Sequence, residues 1–237
     1  MPPKNEKKAE LINFYSKMPK TLLTQTKNPN FDIHHIKIPF RMLIVGSSGS
    51  YKTGTLLNLI NIMSDTFMSV TIITKNADEP LYKYIQTKIP STHLNIVEGV
   101  QNIPNLDEFD KSDNHLVVFD DLITEKNLKS VSEYFIRARK QNVSCVFITQ
   151  SYFSPDKDFK LIRRNCNYII LKKISGMRDL NLIMREYSLN ITKEEFVKLY
   201  QSITNTSIMD FLMIDVDASP EERFRHNFQA IHMEKLV

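Results

Sequence analysis

Three of the chain's five glycines, Gly46, Gly49 and Gly54, fall in one short stretch, interleaved with Ser47, Ser48 and Ser50 and joined by Tyr51, Lys52 and Thr53. Glycine costs conformational entropy and is kept where backbone bends sharply or must approach a ligand closely. The preceding Leu43-Ile44-Val45 suits a buried strand, and the following Thr55-Leu56-Leu57 opens a helical pattern. A loop in that setting can wrap its N–H groups around phosphate oxygens, with the positive end of the helix behind them. Lys52 would reach the outer phosphates, and the Thr53 hydroxyl would ligate Mg²⁺. The expected ligand is ATP with Mg²⁺, contacted by Gly46, Ser47, Ser48, Gly49, Ser50, Tyr51, Lys52, Thr53 and Gly54. One position departs from the pattern: Tyr51 stands where glycine is expected before the lysine. If that position needs positive φ, a bulky residue there costs about 1–2 kcal/mol. A slightly different backbone leaning on Gly49 and Ser50 is the alternative. A serine-rich turn with an unrelated lysine is the plainer reading.

Two further strand ends carry polar groups. His115-Leu116-Val117-Val118-Phe119 runs apolar into Asp120 and Asp121. Adjacent acids at the end of a buried strand are costly unless a cation meets them. Asp120 is the expected Mg²⁺ partner alongside Thr53, and Asp121 the group that orients or deprotonates an attacking water. A helix cap is the structural alternative for Asp121. Ser144-Cys145-Val146-Phe147-Ile148-Thr149 ends at Gln150, which could hydrogen-bond the γ-phosphate or the water; a solvated loop glutamine is the alternative.

These side chains need a scaffold that gathers strand ends. Apolar, β-branched runs at 42–45, 70–74, 94–97, 116–119, 143–149, 168–171 and 211–214 alternate with helical spacing at 55–63, 80–89, 128–140, 180–187 and 192–199. Thr192 and Glu195 form a candidate capping box. Continuous rather than alternating apolar strands imply burial on both faces. Strand–helix–strand order implies a mainly parallel central sheet flanked by helices, so the fold class is α/β. Ligands in such sheets bind at the carboxyl ends of the strands.

Composition sets wide bounds. At 237 residues and 42% hydrophobic the chain can bury one substantial core. A net charge of +4 permits contact with an anionic polymer without requiring it. Cys145 and Cys166 lack metal-ligand spacing and read as reduced core thiols of an intracellular protein. No run reaches the roughly 18 apolar residues of a membrane span, and the N-terminus lacks a signal-peptide pattern. Residues 1–35, with Lys4, Lys7, Lys8, Lys17, Lys20 and Lys27, read as a basic arm. Residues 36–217 read as the nucleotide-binding domain, and 218–237 as a charged tail with a short strand near Gln229 to Met233. The densest basic stretch comprises Lys157, Lys160, Arg163, Arg164, Lys172, Lys173 and Arg178: a grip on DNA backbone or a solvated face.

The segment Ser132-Glu133-Tyr134-Phe135-Ile136-Arg137-Ala138-Arg139, the Thr149-Gln150-Ser151-Tyr152-Phe153 run and Ile162-Arg163-Arg164-Asn165-Cys166 together resemble the poxvirus-type virion DNA-packaging ATPases. These belong to the FtsK/HerA P-loop superfamily and are shared with virophages and Polinton-like elements. The likeness spans about residues 38–215. It implies a RecA-like core in which Lys52 and Thr53 are the Walker A pair, Asp120 and Asp121 the Walker B pair and Gln150 the sensor. It also implies that Arg139 serves a neighbouring subunit's nucleotide, with Arg137, Arg163 and Arg164 as weaker candidates. The activity it implies is ATP hydrolysis driving double-stranded viral DNA into a preformed capsid. The implied partners are capsid proteins and further copies of the chain in a ring of five or six, at the host cell's virus-assembly site and in the virion. Asp121 stands where many relatives of the wider superfamily carry Glu. A related helicase outside packaging, or a nucleotide-gated assembly protein with little hydrolysis, remain the alternatives, the second motivated by Tyr51.

Overall fold

The computed structural model describes residues 11–19, 27–125, 127–187, 189 and 191–231. Nine strands form one sheet in the order β3-β2-β4-β5-β1-β6-β7-β8-β9. The parallel strands are β1 (Arg41–Val45), β2 (Ser69–Thr74), β3 (Leu94–Glu98), β4 (His115–Asp120), β5 (Val143–Thr149) and β6 (Tyr168–Leu171). Antiparallel β7 (Leu212–Asp215), β8 (Phe224–His226) and β9 (Gln229–Ala230) extend the sheet beyond β6.

The continuous apolar strands divide between two cores because alternate side chains point to opposite faces. Leu43, Val45, Val117, Phe119, Cys145 and Phe147 join the core that includes residues of α4 (Lys129–Arg137), α5 (Lys157–Asn165), α6 (Met177–Tyr187) and α7 (Lys193–Thr204). Met42, Ile44, Val118, Val146 and Ile148 join the other core, with α2 (Lys52–Ile62) and α3 (Pro80–Gln86). The single turn α1 (Phe31–His34) precedes β1. Both cysteines are buried and unpaired.

Several local expectations meet specific geometry. Thr192 and Glu195 form the capping box that opens α7, with Glu195 N–H donating to Thr192 Oγ1 at 3.2 Å and Thr192 N–H donating to Glu195 Oε2 at 2.9 Å. The helix expected over 128–140 ends as α4 at Arg137 and tightens into a 3₁₀ turn, Ala138–Gln141, closed by left-handed Asn142. Helix α5 has no counterpart in the pattern reading, because charged residues interrupt its apolar spacing. Its start is set by Asp156, whose side chain accepts from the N–H groups of Asp158 and Phe159 at 2.8 Å each.

The boundaries at 35 and 217 both need correction. Residues 27–35 lie on the domain: His34 is buried, Asn30 Nδ2 donates to Ile62 O at 3.1 Å, and the Lys27 carbonyl accepts from Asn114 Nδ2 at 2.9 Å. Past 217 the chain returns as β8, with Phe224 and Arg225 buried, because an apolar ring and a charge-paired guanidinium both have places waiting in the sheet. Lys4, Lys7, Lys8 and Lys20 of the expected arm, and the end of the expected strand at Met233, lie outside the described residues.

Candidate active site

The loop between β1 and α2 is anchored at its base by the sheet. Gly46 N–H donates to Thr149 O of β5 at 3.2 Å, and Ser47 N–H to Lys173 O beyond β6 at 2.9 Å. A Cβ on Gly46 would lie 2.4 Å from Ser50 Oγ and 2.5 Å from Lys172 Cβ, so only glycine fits. Gly49 and Tyr51 both take left-handed backbone, φ 72° and 68°. Position 51 therefore does demand positive φ, and Tyr51 bears the strain there. Its ring folds back over Gly54, where a Cβ would come within 2.3 Å of the aromatic carbons. Gly54 thus makes room for the residue that replaces the missing glycine.

Lys52 Nζ donates to Ser47 O at 2.9 Å, an intraloop carbonyl that a phosphate oxygen can replace. Burial pulls this ammonium below the usual lysine pKa, against the opposing pull of Asp120, Asp121 and Glu79. Asp120, at the carboxyl end of β4, is buried and has no cation within ion-pair distance among the described residues. Its Oδ2 accepts from the hydroxyl of fully buried Tyr82 at 2.6 Å. Burial raises the Asp120 carboxyl to about 6; the Tyr82 bond and Lys52 work against that rise, and Glu79 and Asp121 add to it. The Tyr82 phenol is itself pushed far above the usual range by burial and by Asp120. Tyr82 therefore holds one of the two groups expected to meet at the metal, Asp120. Asp121 is left-handed at φ 54°, its N–H donating to Ile148 O at 3.1 Å.

Sequence reasoning missed Tyr82 and Glu79. The available signal was Glu79-Pro80, a helix start with proline at its first position, immediately beyond β2. That start places Glu79 at the same sheet edge as Asp120, whose register partner is Thr74. Nothing in the local pattern says that Tyr82, one turn later, points inward to a carboxylate.

Gln150 follows β5 at the same edge, with an exposed side chain. The next residues are fastened down. Tyr152 N–H donates to Asp179 Oδ2 at 2.8 Å and Ser151 Oγ to the same oxygen at 3.2 Å, while Arg163 Nη1 donates to Tyr152 O at 2.6 Å. Arg163 is buried and paired with Glu186 at 2.9 Å; Glu186 also accepts from the Tyr152 hydroxyl. Arg163 is therefore not available to a neighbour's nucleotide or to DNA, which corrects the expectation drawn from its place in a basic stretch. The same holds for Lys172. Its buried ammonium donates to the carbonyls of Ile208, Met209 and Asp210 at 2.7, 2.9 and 3.1 Å, and burial lowers its pKa to about 8. Lys157, Lys160, Arg164, Lys173 and Arg178 of that stretch are exposed. Arg139, also exposed, sits in the 3₁₀ turn before β5 and so at the opposite edge of the sheet. Seven residues of strand separate it from its own loop by about 20 Å, beyond a side chain's reach.

The residues present fit a magnesium nucleotide. The Ser50 hydroxyl is enclosed in the loop without a partner among the described residues, a polar group waiting for an acceptor or donor. A cleft of about 490 Å³ opens beside Ser47–Ser50, bounded by Ile174, Asn205 and Ile208, and is large enough for a nucleoside. Thr53 and Asp120 would hold Mg²⁺, whose charge would offset the carboxylate's burial.

A parallel strand order with the phosphate loop on β1, the acid pair on the next strand but one and a polar residue ending the strand between them defines a P-loop NTPase fold. Within that class the chain belongs to the family of the poxvirus A32 protein, which matches residues 30–219. Its fold is similar to that of the genome-packaging NTPase B204 of Sulfolobus turreted icosahedral virus 2. The AMPPCP complex is 15% identical, with a TM-score of 0.57, over 81% of this chain and 98% of that one. The AMP complex is 14% identical, with a TM-score of 0.56, over 83% and 100%. B204 described as the DNA-packaging ATPase of Sulfolobus turreted icosahedral virus is 16% identical, with a TM-score of 0.55, over 87% and 100%. No curated protein matches the sequence.

Proposed function

We propose that this chain is a viral genome-packaging ATPase that hydrolyses MgATP to move double-stranded DNA into a capsid. One observation carries the chemistry: buried Asp120, held by Tyr82 and lacking an ion-pair partner among the described residues, lies within electrostatic reach of the phosphate-loop Lys52 in an A32-family domain. Lys52 exchanges the Ser47 carbonyl for a phosphate oxygen and supplies positive charge as the phosphoryl group transfers. Thr53 and Asp120 would hold Mg²⁺, which would supply positive charge to offset that of the phosphates. Asp121 and Gln150 are the candidates to orient the attacking water. Arg139 completes the site of the next subunit in a ring, which its distance from its own loop favours. An arginine supplied in this way is worth roughly 10³–10⁵ in rate for related chemistry.

The DNA-facing surface is sequence-neutral and built from exposed lysine and arginine, so binding weakens as salt rises. Capsid protein is the assembly partner, and the infected cell's assembly site is the place of action. No helix among the described residues is long and apolar enough to cross a membrane.

The deciding experiment is steady-state phosphate release with and without duplex DNA on a defined oligomer. DNA stimulation above a Lys52→Ala background is expected; a rate equal to that background, with nucleotide still bound, would favour the nucleotide-gated assembly reading that strained Tyr51 motivates. Mixing Arg139→Ala with Lys52→Ala subunits tests the arginine. Mixed rings regain activity if it acts in trans. No recovery in rings shown to mix removes Arg139 from the role.

A further inference from the structure

At the amino edge of the parallel strands, opposite the phosphate loop, lies a second cleft of about 510 Å³. Arg41 opens β1 there, and the carboxyl ends of α5 and α6 bring Arg164 and Arg185 to the same rim. Five residues of β1 separate this cleft from the loop by about 15 Å, so it is no part of the nucleotide site.

The charges in this cleft are unbalanced. Two buried guanidinium groups elsewhere have carboxylate partners, Arg163 in Glu186 and Arg225 in Asp215, although Arg163 Nε is likewise enclosed without a hydrogen-bond partner among the described residues. Arg41, Arg164 and Arg185 have no carboxylate within ion-pair distance among the described residues. Arg41 Nε is enclosed without a hydrogen-bond partner among the same residues. An enclosed donor left unpaired forfeits its hydration without return. Two carboxylates also line the cleft. Glu186 is taken up by Arg163 and Tyr152, leaving Asp217 as the one lining acid against three guanidinium groups. The backbone here is well fixed: Arg41 N–H donates to Asn167 Oδ1 at 2.8 Å, and Asn167 N–H returns a bond to Arg41 O at 2.9 Å. The cleft is therefore a held concavity with forked donors, the arrangement that suits a phosphate oxyanion.

We infer that Arg41, Arg164 and Arg185 form a phosphate-binding site distinct from the nucleotide site, and that its occupant is a backbone phosphate of duplex DNA. The choice of DNA rests on the packaging function proposed above; the oxyanion chemistry does not. Exposed Arg164 and Arg185 would bring the phosphodiester to the rim, with Arg41 at the enclosed end.

The test uses the full chain and a duplex of about 20 base pairs and arbitrary sequence, without nucleotide, with affinity measured across a salt series. Arg185→Gln is the first variant because its side chain is exposed and the fold does not need it; Arg41→Gln, checked by circular dichroism, probes the enclosed end. Each substitution is expected to lower affinity roughly five- to tenfold near 0.1 M salt and to flatten the log–log salt slope by about 0.9. Lys198→Gln, on the exposed face of α7, removes the same charge elsewhere and should change binding less than about twofold. Equal losses from Lys198→Gln and Arg185→Gln would overturn the site in favour of net charge. A second arm titrates inorganic phosphate against the same proteins by thermal shift. Phosphate binding lost in Arg185→Gln while DNA affinity is unchanged would overturn DNA as the occupant. Wild-type protein that binds no duplex, yet binds phosphate through Arg185, would remove the DNA partner proposed above while leaving the oxyanion chemistry standing.

Discussion

Two buried aspartates end strands at opposite poles of this sheet, and their surroundings differ in kind. Asp215, closing β7, meets Arg225 at 2.5 Å, and Arg225 in turn donates to the carbonyls of His34 and His35 at 3.3 and 3.1 Å. Asp120, closing β4, receives one hydroxyl at 2.6 Å, while nearby Lys52 donates to a loop carbonyl instead. The first cluster is complete within the chain and serves the fold. The second is short of positive charge, which a bound magnesium nucleotide would supply. Burial alone does not separate structural from functional acids; the presence of a counter-charge does.

The largest effect expected from this contrast is at the completed pole. Asp215→Ala leaves Arg225 buried without its partner and should cost about 3–5 kcal/mol of stability. Denaturant melts of the nucleotide-free protein read this directly. A loss below about 1 kcal/mol would mean that water already serves Arg225 and that the pole is not closed.

Next in size is Lys52→Ala. Losing a preorganised charge aimed at the transferring phosphoryl should cut kcat about 10²–10³-fold. Nucleotide-free stability should hardly change, since the bond to Ser47 O is the one hydrogen bond Lys52 Nζ makes among the described residues. A stability loss comparable with that of Asp215→Ala would make Lys52 a structural lysine like Lys172.

Asp120→Asn should act in the opposite direction. Its carboxyl titrates near 6 in the fold, above the ordinary 3.8, so the folded state binds the proton more tightly than the unfolded chain. Stability of the nucleotide-free protein is therefore full at low pH on this account and falls as pH rises from about 4 to about 6. The asparagine variant removes that cost and should gain on the order of 2–3 kcal/mol at about pH 7.5, with the gain fading below about pH 4. Tyr82 keeps an acceptor in the amide oxygen of the substituted side chain. Mg²⁺-dependent nucleotide binding in the parent should weaken up to about tenfold per pH unit below about 6, as a proton competes with the cation. Destabilisation by Asp120→Asn at neutral pH would erase the distinction between the two poles.

Much of the active edge was legible in the sequence, because a phosphate loop, an acid-ended strand and a polar-ended strand are local patterns. Parallel order then brings Lys52, Asp120 and Gln150 to one edge without further information. Tyr82 was not legible, since its role depends on which way α3 turns after Pro80. Nor was the fate of the basic stretch. Arg163 and Lys172 read like their exposed neighbours, and only tertiary packing shows one held by Glu186 and the other by three carbonyls. Helix α5 was hidden because its buried Phe159 and Ile162 stand among lysines and arginines. Past 217 the strand near Gln229 was legible, but β8 was hidden because it is three residues long and follows a charged run.

The smallest effect concerns Tyr51, and it bears on how far the functional pole departs from an unstrained fold. At φ 68° a tyrosine costs about 1–2 kcal/mol relative to a residue at ease there. Glycine relieves that strain but adds about 0.4–1 kcal/mol of unfolded-chain entropy and gives up the ring's contact with Gly54. Tyr51→Gly should therefore stabilise the nucleotide-free protein by no more than about 1 kcal/mol. Asparagine tolerates left-handed backbone better than other non-glycine residues, whereas β-branched valine does not. The expected order of melting temperature is Gly at or above Asn, then Tyr, then Val. A parent protein more stable than both the glycine and asparagine variants would show that the ring's packing on Gly54 outweighs the backbone strain. In that case the loop is built around its tyrosine, and the functional pole is as settled in this respect as the structural one.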